Sequence, residues 1–293
     1  LYIALNLNQK EQNKISKYWQ KFYKSYTAYL YGRGCFDNYV GMHIKWIRCF
    51  MNYLVNEKQI MIGNYHKQFY CPKEEIPIIT LSYDHLKYLI YDKEFNNTLD
   101  ESLKMAKDIF VFGCTVGLRV SDLLSLTEKN LIKQNDEYYI QTKSQKTSTY
   151  TSIKLPDYAI EILNRYKKKG NKTLFPYISI AWLNKQLKKI AHNIPNNYEI
   201  KKIREQKGRQ IEVYKNKKTK THYTFADLIT THTMRRTTVT SMLSLGMPEN
   251  IVRKISGHSP NSKEFFRYVE YAQSTIDKET DKYFDKMKET SIQ

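Results

Sequence analysis

Apolar residues in this chain recur three and four positions apart along most of its length, and that spacing restricts the fold more than any other feature. Trp19, Phe22, Tyr23, Tyr26 and Leu30 form one such stripe, broken at Gly32-Arg33-Gly34, and Val40, Ile44, Ile47, Met51 and Leu54 form a second. Each stripe places one apolar face on an α-helix. At that spacing Trp19 and Tyr26 read as packing residues rather than as platforms for stacked bases. The period changes in "EYYIQTKSQKTSTYTSIKLP" (137–156), where residues of strand propensity flank a polar turn and predict a small antiparallel hairpin. Helical spacing returns in "DYAIEILNRY" (157–166). The expected fold class is mostly α with a small antiparallel β-sheet.

Periodicity fades between Asn64 and Pro77, where Pro72 and Pro77 bracket a charged stretch. A linker is expected there, dividing the chain into a helical domain, 1–72, and a larger domain, 73–293. Thr80 stands ahead of "LSYDHLKYLI" as the expected N-cap of the next helix. The helical stretch from Leu103 to Leu126 is expected to be interrupted at "GCTVGLR" by Gly113 and Gly117. No internal repeat is visible.

Charge narrows the partner. With 48 Lys and Arg against 29 Asp and Glu, the net charge of +19 favours a polyanion. A Lys-rich surface alone is unspecific, but here the cations gather in "YKKKGNK" (166–172) and "KKIREQKGRQIEVYKNKKTK" (201–220). Such runs suit a surface that follows phosphates, because each neutralised phosphate releases counterions. The second run, with Lys202 and Arg204, reads as a basic β-hairpin or a mobile loop. Lys45 and Arg48 lie off the apolar stripe of their helix and are further DNA-binding candidates, for a groove or for phosphates. A chain of 293 residues buries a core without disulfides or metals, and its four scattered cysteines read as reduced thiols. No apolar run approaches membrane-spanning length and no signal peptide is visible, so a soluble, intracellular protein is expected. The chain starts at Leu1 rather than Met, which leaves room for an upstream module.

Three separated segments hold the residue types that phosphodiester transfer requires: "TVGLRVSDLLSL" (115–126), "THTMRRTTVTSML" (231–243) and "GHSPNSKEFFRYVEYA" (257–272). Attack at phosphorus builds negative charge on the non-bridging oxygens, which forked guanidinium groups bind well. Arg119 and Arg235 are the candidates. Asp122, three residues after Arg119, is placed to steady its guanidinium on a helical turn. His232 and Arg235 stand one helical turn apart and can address one phosphate together. Arg236 reads as a neighbour tied to backbone or DNA. His258 follows an apolar helix and a glycine that lets the chain turn sharply. Taken singly, each motif has an ordinary structural explanation.

Together, Arg119, then "HTMRR", then "SGHS", then a tyrosine resemble the tyrosine recombinases, the phage integrase family, and most closely integrases of bacterial mobile elements. The similarity runs from about Thr80 to Lys288. It implies a helical core-binding domain followed by a tyrosine-recombinase catalytic domain. It makes Arg119, His232, Arg235 and His258 the phosphate-binding set, with His232 as proton acceptor or hydrogen-bond partner of the nucleophile and His258 as donor to a non-bridging oxygen. It implies a lysine on a β-hairpin turn as general acid: Lys146 fits best, Lys143 second, and Lys154 is a strand residue.

Tyr268 lies ten residues after His258, one more than the family's usual spacing, and Tyr271 lies thirteen after. Tyr268 is the expected nucleophile, with the extra residue absorbed in "SPNS" (259–262). The resemblance further implies strand cleavage through a 3′-phosphotyrosine without metal or nucleotide cofactor. The partners it implies are double-stranded DNA with inverted-repeat core sites and a homo-tetramer when two duplexes meet. The tail, with Ile276, Tyr283, Phe284 and Met287, is an amphipathic helix that docks on a neighbouring protomer or on its own domain. The expected location is the bacterial cytoplasm, at the nucleoid. A type IB topoisomerase would use a similar constellation, and a non-catalytic accessory protein would keep only the fold.

Overall fold

The computed structural model describes residues 9–60, 63–146, 148–167, 172–195 and 197–290. Thr147 and residues 168–171, most of the first basic run, lie outside them. In chain order the helices α1 (Gln9–Gly32), α2 (Asp37–Asn56), α3 (Tyr83–Tyr91), α4 (Lys93–Thr98), α5 (Glu101–Val116) and α6 (Val120–Leu124) come first. Strands β1 (Leu131–Gln134), β2 (Glu137–Lys143) and β3 (Tyr150–Lys154) follow, then α7 (Asp157–Tyr166) and α8 (Ile180–His192). Next come β4 (Glu199–Ile200), β5 (Lys202–Gln206), β6 (Arg209–Val213) and β7 (Tyr223–Thr224). The chain closes with α9 (Phe225–Leu228), α10 (Thr231–Ser244), α11 (Glu249–Ser256) and α12 (Lys263–Thr290). None of the described helices is long and apolar enough to cross a membrane.

The chain divides into two compact units: Leu1–Pro77 with Lys201–His222, and Ile78–Ile200 with Tyr223–Gln293. A division at 72/73 is contiguous in sequence, whereas the observed one is not, because the second basic run leaves its neighbours and folds with the first unit.

In the first unit, the stripes of α1 and α2 meet around Leu30, Val40, Ile44 and Phe69, with Trp19 and Tyr26 packed against them. The aperiodic stretch 64–77 is packed too: Phe69 and Glu74 are buried. The segment 201–220 is a hairpin, the first of the two forms expected. Its turn is Lys207-Gly208, both at positive φ (+56° and +70°), the two-residue geometry that matches strand twist.

Two buried carboxylates hold this hairpin. Asp37 accepts the Lys207 and Gly208 N–H groups (2.8 and 2.9 Å) and the Tyr31 hydroxyl (2.8 Å). Glu74 accepts Nε and Nη2 of Arg204 (2.9 and 2.6 Å) and the Glu205 N–H (2.8 Å). Burial pushes the Glu74 pKa up, but the bonds from Arg204 and Glu205 outweigh it and hold the carboxyl below its usual range. Glu74→Ala leaves the Arg204 guanidinium without its partner. A loss of about 3 kcal/mol is expected, read as a lower denaturant midpoint and faster hydrogen exchange across 202–213. Unchanged exchange there would mean that the ion pair does not hold the hairpin.

In the second unit, α5 is buried on nearly every face, and α10 and α8 pack along it. Gly113 does not interrupt this helix. It lies in the interior because a Cβ there would collide with the Met234 sulfur of α10. The break is at Gly117 alone, in the left-handed conformation at φ +62°, and α6 starts three residues later at Val120. Ser82 caps α3, accepting the His85 N–H at 3.2 Å, while Thr80 bonds the Tyr271 hydroxyl instead (3.1 Å). The expected hairpin is the β2–β3 pair of a three-stranded antiparallel sheet. Strand β1 joins through the two-residue turn Asn135-Asp136, both at positive φ, a turn signal visible in the sequence.

Candidate active site

The second unit gathers the expected polar set from four places in the chain. Arg119 directly follows the short turn after Gly117 and occupies the N-cap position of α6. His232, Arg235 and Arg236 come from α10, His258 from the loop after α11, and Tyr268 from the second turn of α12. Gly257, at φ +62°, ends α11 and reverses the chain so that the His258 N–H returns to the Arg253 carbonyl (3.0 Å). Arg253 fixes the next turn: its Nη1 donates to the Pro260 carbonyl at 3.0 Å, and its guanidinium lies 3.9 Å from the Phe265 ring centroid.

Arg235 is the centre of the cluster. It is buried at 7 % exposure, and Nη1 donates to the carbonyls of Gly117 (3.1 Å) and Ser256. Its Nη2 lies 3.0 Å from His258 Nε2. Burial first, and then the charge of Arg119, push its pKa down to about 10, against the counter-pull of Tyr268, Asp122 and Glu264. The two arginines thus share one region, and Arg235 still carries its charge at neutral pH.

Arg119 donates to Ser144 Oγ at 2.8 Å. Its steadying partner is this serine, not Asp122, whose buried carboxylate accepts the Gln145 N–H at 3.4 Å. Both contacts grip the β2–β3 turn. Lys146 sits exposed in that turn, two residues from Ser144, and Lys143 is exposed at the end of β2. Lys154 pairs with Glu137 at 2.7 Å.

Tyr268 is buried, at 4 % exposure, with its ring 5.7 Å from that of His258 and edge-on to it. Its hydroxyl donates to Glu264 Oε1 at 3.4 Å, and the Arg236 side chain acts on it. Burial and then Glu264 raise its pKa, while Arg236 and Arg235 oppose the rise. Tyr271 bonds Thr80 instead. Of the two tyrosines, Tyr268 has its hydroxyl beside Arg236, with the charge of Arg235 acting on it. Arg236 therefore has a partner that neither backbone nor DNA supplies.

His232 stands on the exposed side of α10, where shielding of its ring, then Arg236 and Arg235, lower its pKa against Glu264. His258 is buried, and burial followed by Arg235, Arg119 and Arg253 pushes its pKa down to about 3. The folded chain therefore keeps His258 neutral while an unfolded chain protonates it below its ordinary value of 6.5. Between pH 6.5 and 3 the unfolded state binds the extra proton, so stability falls on acidification. About 1 kcal/mol is expected to be lost between pH 7 and 5.5, measured by denaturant unfolding. His66 and His232, also lowered, act in the same direction. His258→Gln isolates the share of His258 by flattening the slope, and an unchanged slope would contradict it.

The expected DNA contacts are spread more widely. In the first unit Lys45 is exposed, whereas Arg48 Nη1 donates to the Phe69 carbonyl at 3.3 Å. Lys202 is half-buried on β5, and Arg204 is engaged by Glu74. Ser144, Ser256, Arg253 and Glu264 were not singled out from sequence. The i, i+4 spacing of Glu264 and Tyr268 was a legible signal for one contact, but nothing local marked the serines.

The sequence profile of the phage integrase family matches residues 91–274. No curated protein matches the chain in sequence. Among solved structures, the chain is similar to the Tn1549 transposon integrase in complex with transposon right end DNA. The identity is 13%, the TM-score 0.60, and the match covers 94% of this chain and 95% of that one. It is similar also to a lambda integrase dimer bound to a COC′ core site, at 12% identity and TM-score 0.56, over 91% and 90% of the chains. XerH site-specific recombinase bound to palindromic difH substrate matches at 16% identity and TM-score 0.47, over 70% of this chain. This chain spans about half (53%) of that XerH chain. At these identities the likeness is one of fold.

Proposed function

The chain belongs to the phage integrase family, and from that premise we propose that it is a site-specific DNA recombinase acting through Tyr268. The single observation that carries the reading is the placement of the Tyr268 hydroxyl against Arg236, in the field of the buried Arg235, which Arg119 shares. The phenol oxygen attacks a backbone phosphate. The new P–O bond forms as the bond to the 5′ oxygen breaks, leaving a 3′-phosphotyrosine and a 5′ hydroxyl. The phenol proton passes to His232, whose lowered pKa keeps its ring neutral and able to accept. Lys146 gives a proton to the leaving oxygen. Arg119 and Arg235 hold the non-bridging oxygens, where charge accumulates. A 5′ hydroxyl from a partner duplex reverses the step. The bond energy stays in the covalent link, so no nucleotide is consumed.

The partners that go with this reading are duplex DNA with inverted-repeat core sites and, when two duplexes meet, four protomers. Residues 1–72, with segment 201–222 folded among them, would serve as the core-binding domain and the rest of 73–293 as the catalytic domain. Helix α12 presents exposed Ile276, Phe284 and Met287 for docking in cis or in trans; the side chain of Tyr283 lies outside the described residues. The protein would work at the nucleoid, in the bacterial cytoplasm.

The test uses nicked suicide duplexes from a randomised inverted-repeat library, denatured after incubation. A detergent-resistant adduct through Tyr268, followed by a four-stranded intermediate when two copies of a captured site are supplied, is the expected outcome. Relaxation of a single duplex with no four-stranded species would favour a topoisomerase, and no adduct at all would end the catalytic reading.

A further inference from the structure

We infer that Arg253 is a positioning residue for the nucleophile: it fixes where α12 begins and so where the Tyr268 hydroxyl lies. The inference rests on the reading of Tyr268 as the attacking group. Tyr268 stands on the second turn of α12, and a helix advances about 1.5 Å and turns about 100° per residue. A start displaced by one residue would carry the hydroxyl away from Arg235 and Arg236. The stretch just before the helix, 259–262, is also the one expected to absorb the residue by which the spacing from His258 to Tyr268 exceeds the family's usual value. A longer loop has more ways to enter the helix. The helix's own side-chain cap is a weak guide, because Ser262 Oγ accepts the Phe265 N–H only at 3.4 Å.

Arg253 supplies the missing constraint. It lies in the last turn of α11, and its side chain is only 14 % exposed although it is charged. Nη1 donates to the carbonyls of Pro260 (3.0 Å) and Ser259 (3.4 Å), inside the stretch in question. The guanidinium carbon lies 3.9 Å from the Phe265 ring centroid and 4.9 Å from that of Phe266, both in the first turn of α12. Nη2 donates to Glu249 Oε2 at 3.4 Å, back along α11, which holds the fork to its own helix. The Arg253 carbonyl receives the His258 N–H.

One residue therefore ties the end of α11 to both ends of the connecting stretch. Only a planar guanidinium can lay its face on a ring while its edge donates to carbonyls. Phe265 passes the constraint on, since it is wholly buried in the apolar cluster that contains Tyr268. None of these bonds uses a side chain read as a phosphate ligand, so an anion arriving at the site competes for none of them.

In the suicide-duplex assay with the full chain, Arg253→Ala is expected to slow adduct formation at saturating duplex about 10- to 100-fold while duplex affinity stays within about 3-fold of the parent. Hydrogen exchange read by mass spectrometry is expected to quicken across 259–268 and to stay at the parental rate in α5. A parental saturated rate in the folded variant, or exchange that is unchanged across 259–268 or quickened equally in α5, would overturn the inference. If Arg253→Ala does not fold, Arg253→Lys replaces it. One ammonium cannot cover the ring and hold both carbonyls, so a fall of about 3- to 10-fold is expected, and a parental rate would overturn the inference. Absence of adduct with the parent on every duplex would refute the recombinase reading, while the exchange pattern still judges whether Arg253 sets the start of α12.

Discussion

Tyr268→Phe is expected to lose covalent attachment to a nicked duplex by more than about 10^3-fold, while Tyr271→Phe reacts at close to the parental rate. The two tyrosines sit on one helix three residues apart, so a general weakening of α12 would affect both variants alike. They differ in what surrounds the oxygen. The Tyr268 hydroxyl meets Arg236 and Glu264, with the charge of Arg235 acting on it, whereas that of Tyr271 meets Thr80. Removing the second hydroxyl costs one neutral hydrogen bond, about 1 kcal/mol of stability, and no chemistry. The check is a denaturing gel of protein–DNA adducts in single turnover. Adduct from Tyr268→Phe with none from Tyr271→Phe would transfer the nucleophile assignment to Tyr271.

Arg235→Ala has the second large effect, a fall of about 10^3-fold in the rate of adduct formation at saturating duplex. Its guanidinium is tied to three acceptors from separate segments, the Gly117 carbonyl, the Ser256 carbonyl and His258 Nε2, and is thereby aimed before any anion arrives. Such preorganisation matters most where water is excluded, and this group is nearly fully buried. Arg235→Lys is expected to recover little, since one ammonium cannot reproduce the planar fork. Non-covalent duplex binding, measured alongside, is expected to change far less than the rate, because a chain of net charge +19 has many other cations available to phosphates. A rate near parental in Arg235→Ala would remove Arg235 from the reacting centre.

Much of the fold was legible because helices write their burial into the sequence at a local period. The stripes of α1 and α2, the helix at 157–166 and the β2–β3 pair all follow from side chains within a few turns or a few residues of one another. The departures share a cause. Gly113 lies within a helix, not at a break, because Met234, more than a hundred residues away, needs the space of its missing Cβ. Ser82 displaced Thr80 as a cap because Thr80 had a distant partner in Tyr271. Segment 201–222 folds with the first unit because Asp37 and Glu74 supply the acceptors its turn and Arg204 require.

By itself, then, the sequence determined the helical class, the turn at Gly257 and the order in which two arginines, two histidines and a tyrosine appear, since each depends on local period, backbone freedom or plain succession along the chain. Only the tertiary structure decided which atoms face each other. It gave Arg119 to Ser144 rather than to Asp122, Tyr268 rather than Tyr271 to the cations, and His258 to Ser256 and Arg235. Hydrogen-bond polarity and shifted pKa values depend on distance and on exclusion of water, and both are set by groups that the chain brings together from segments far apart in sequence.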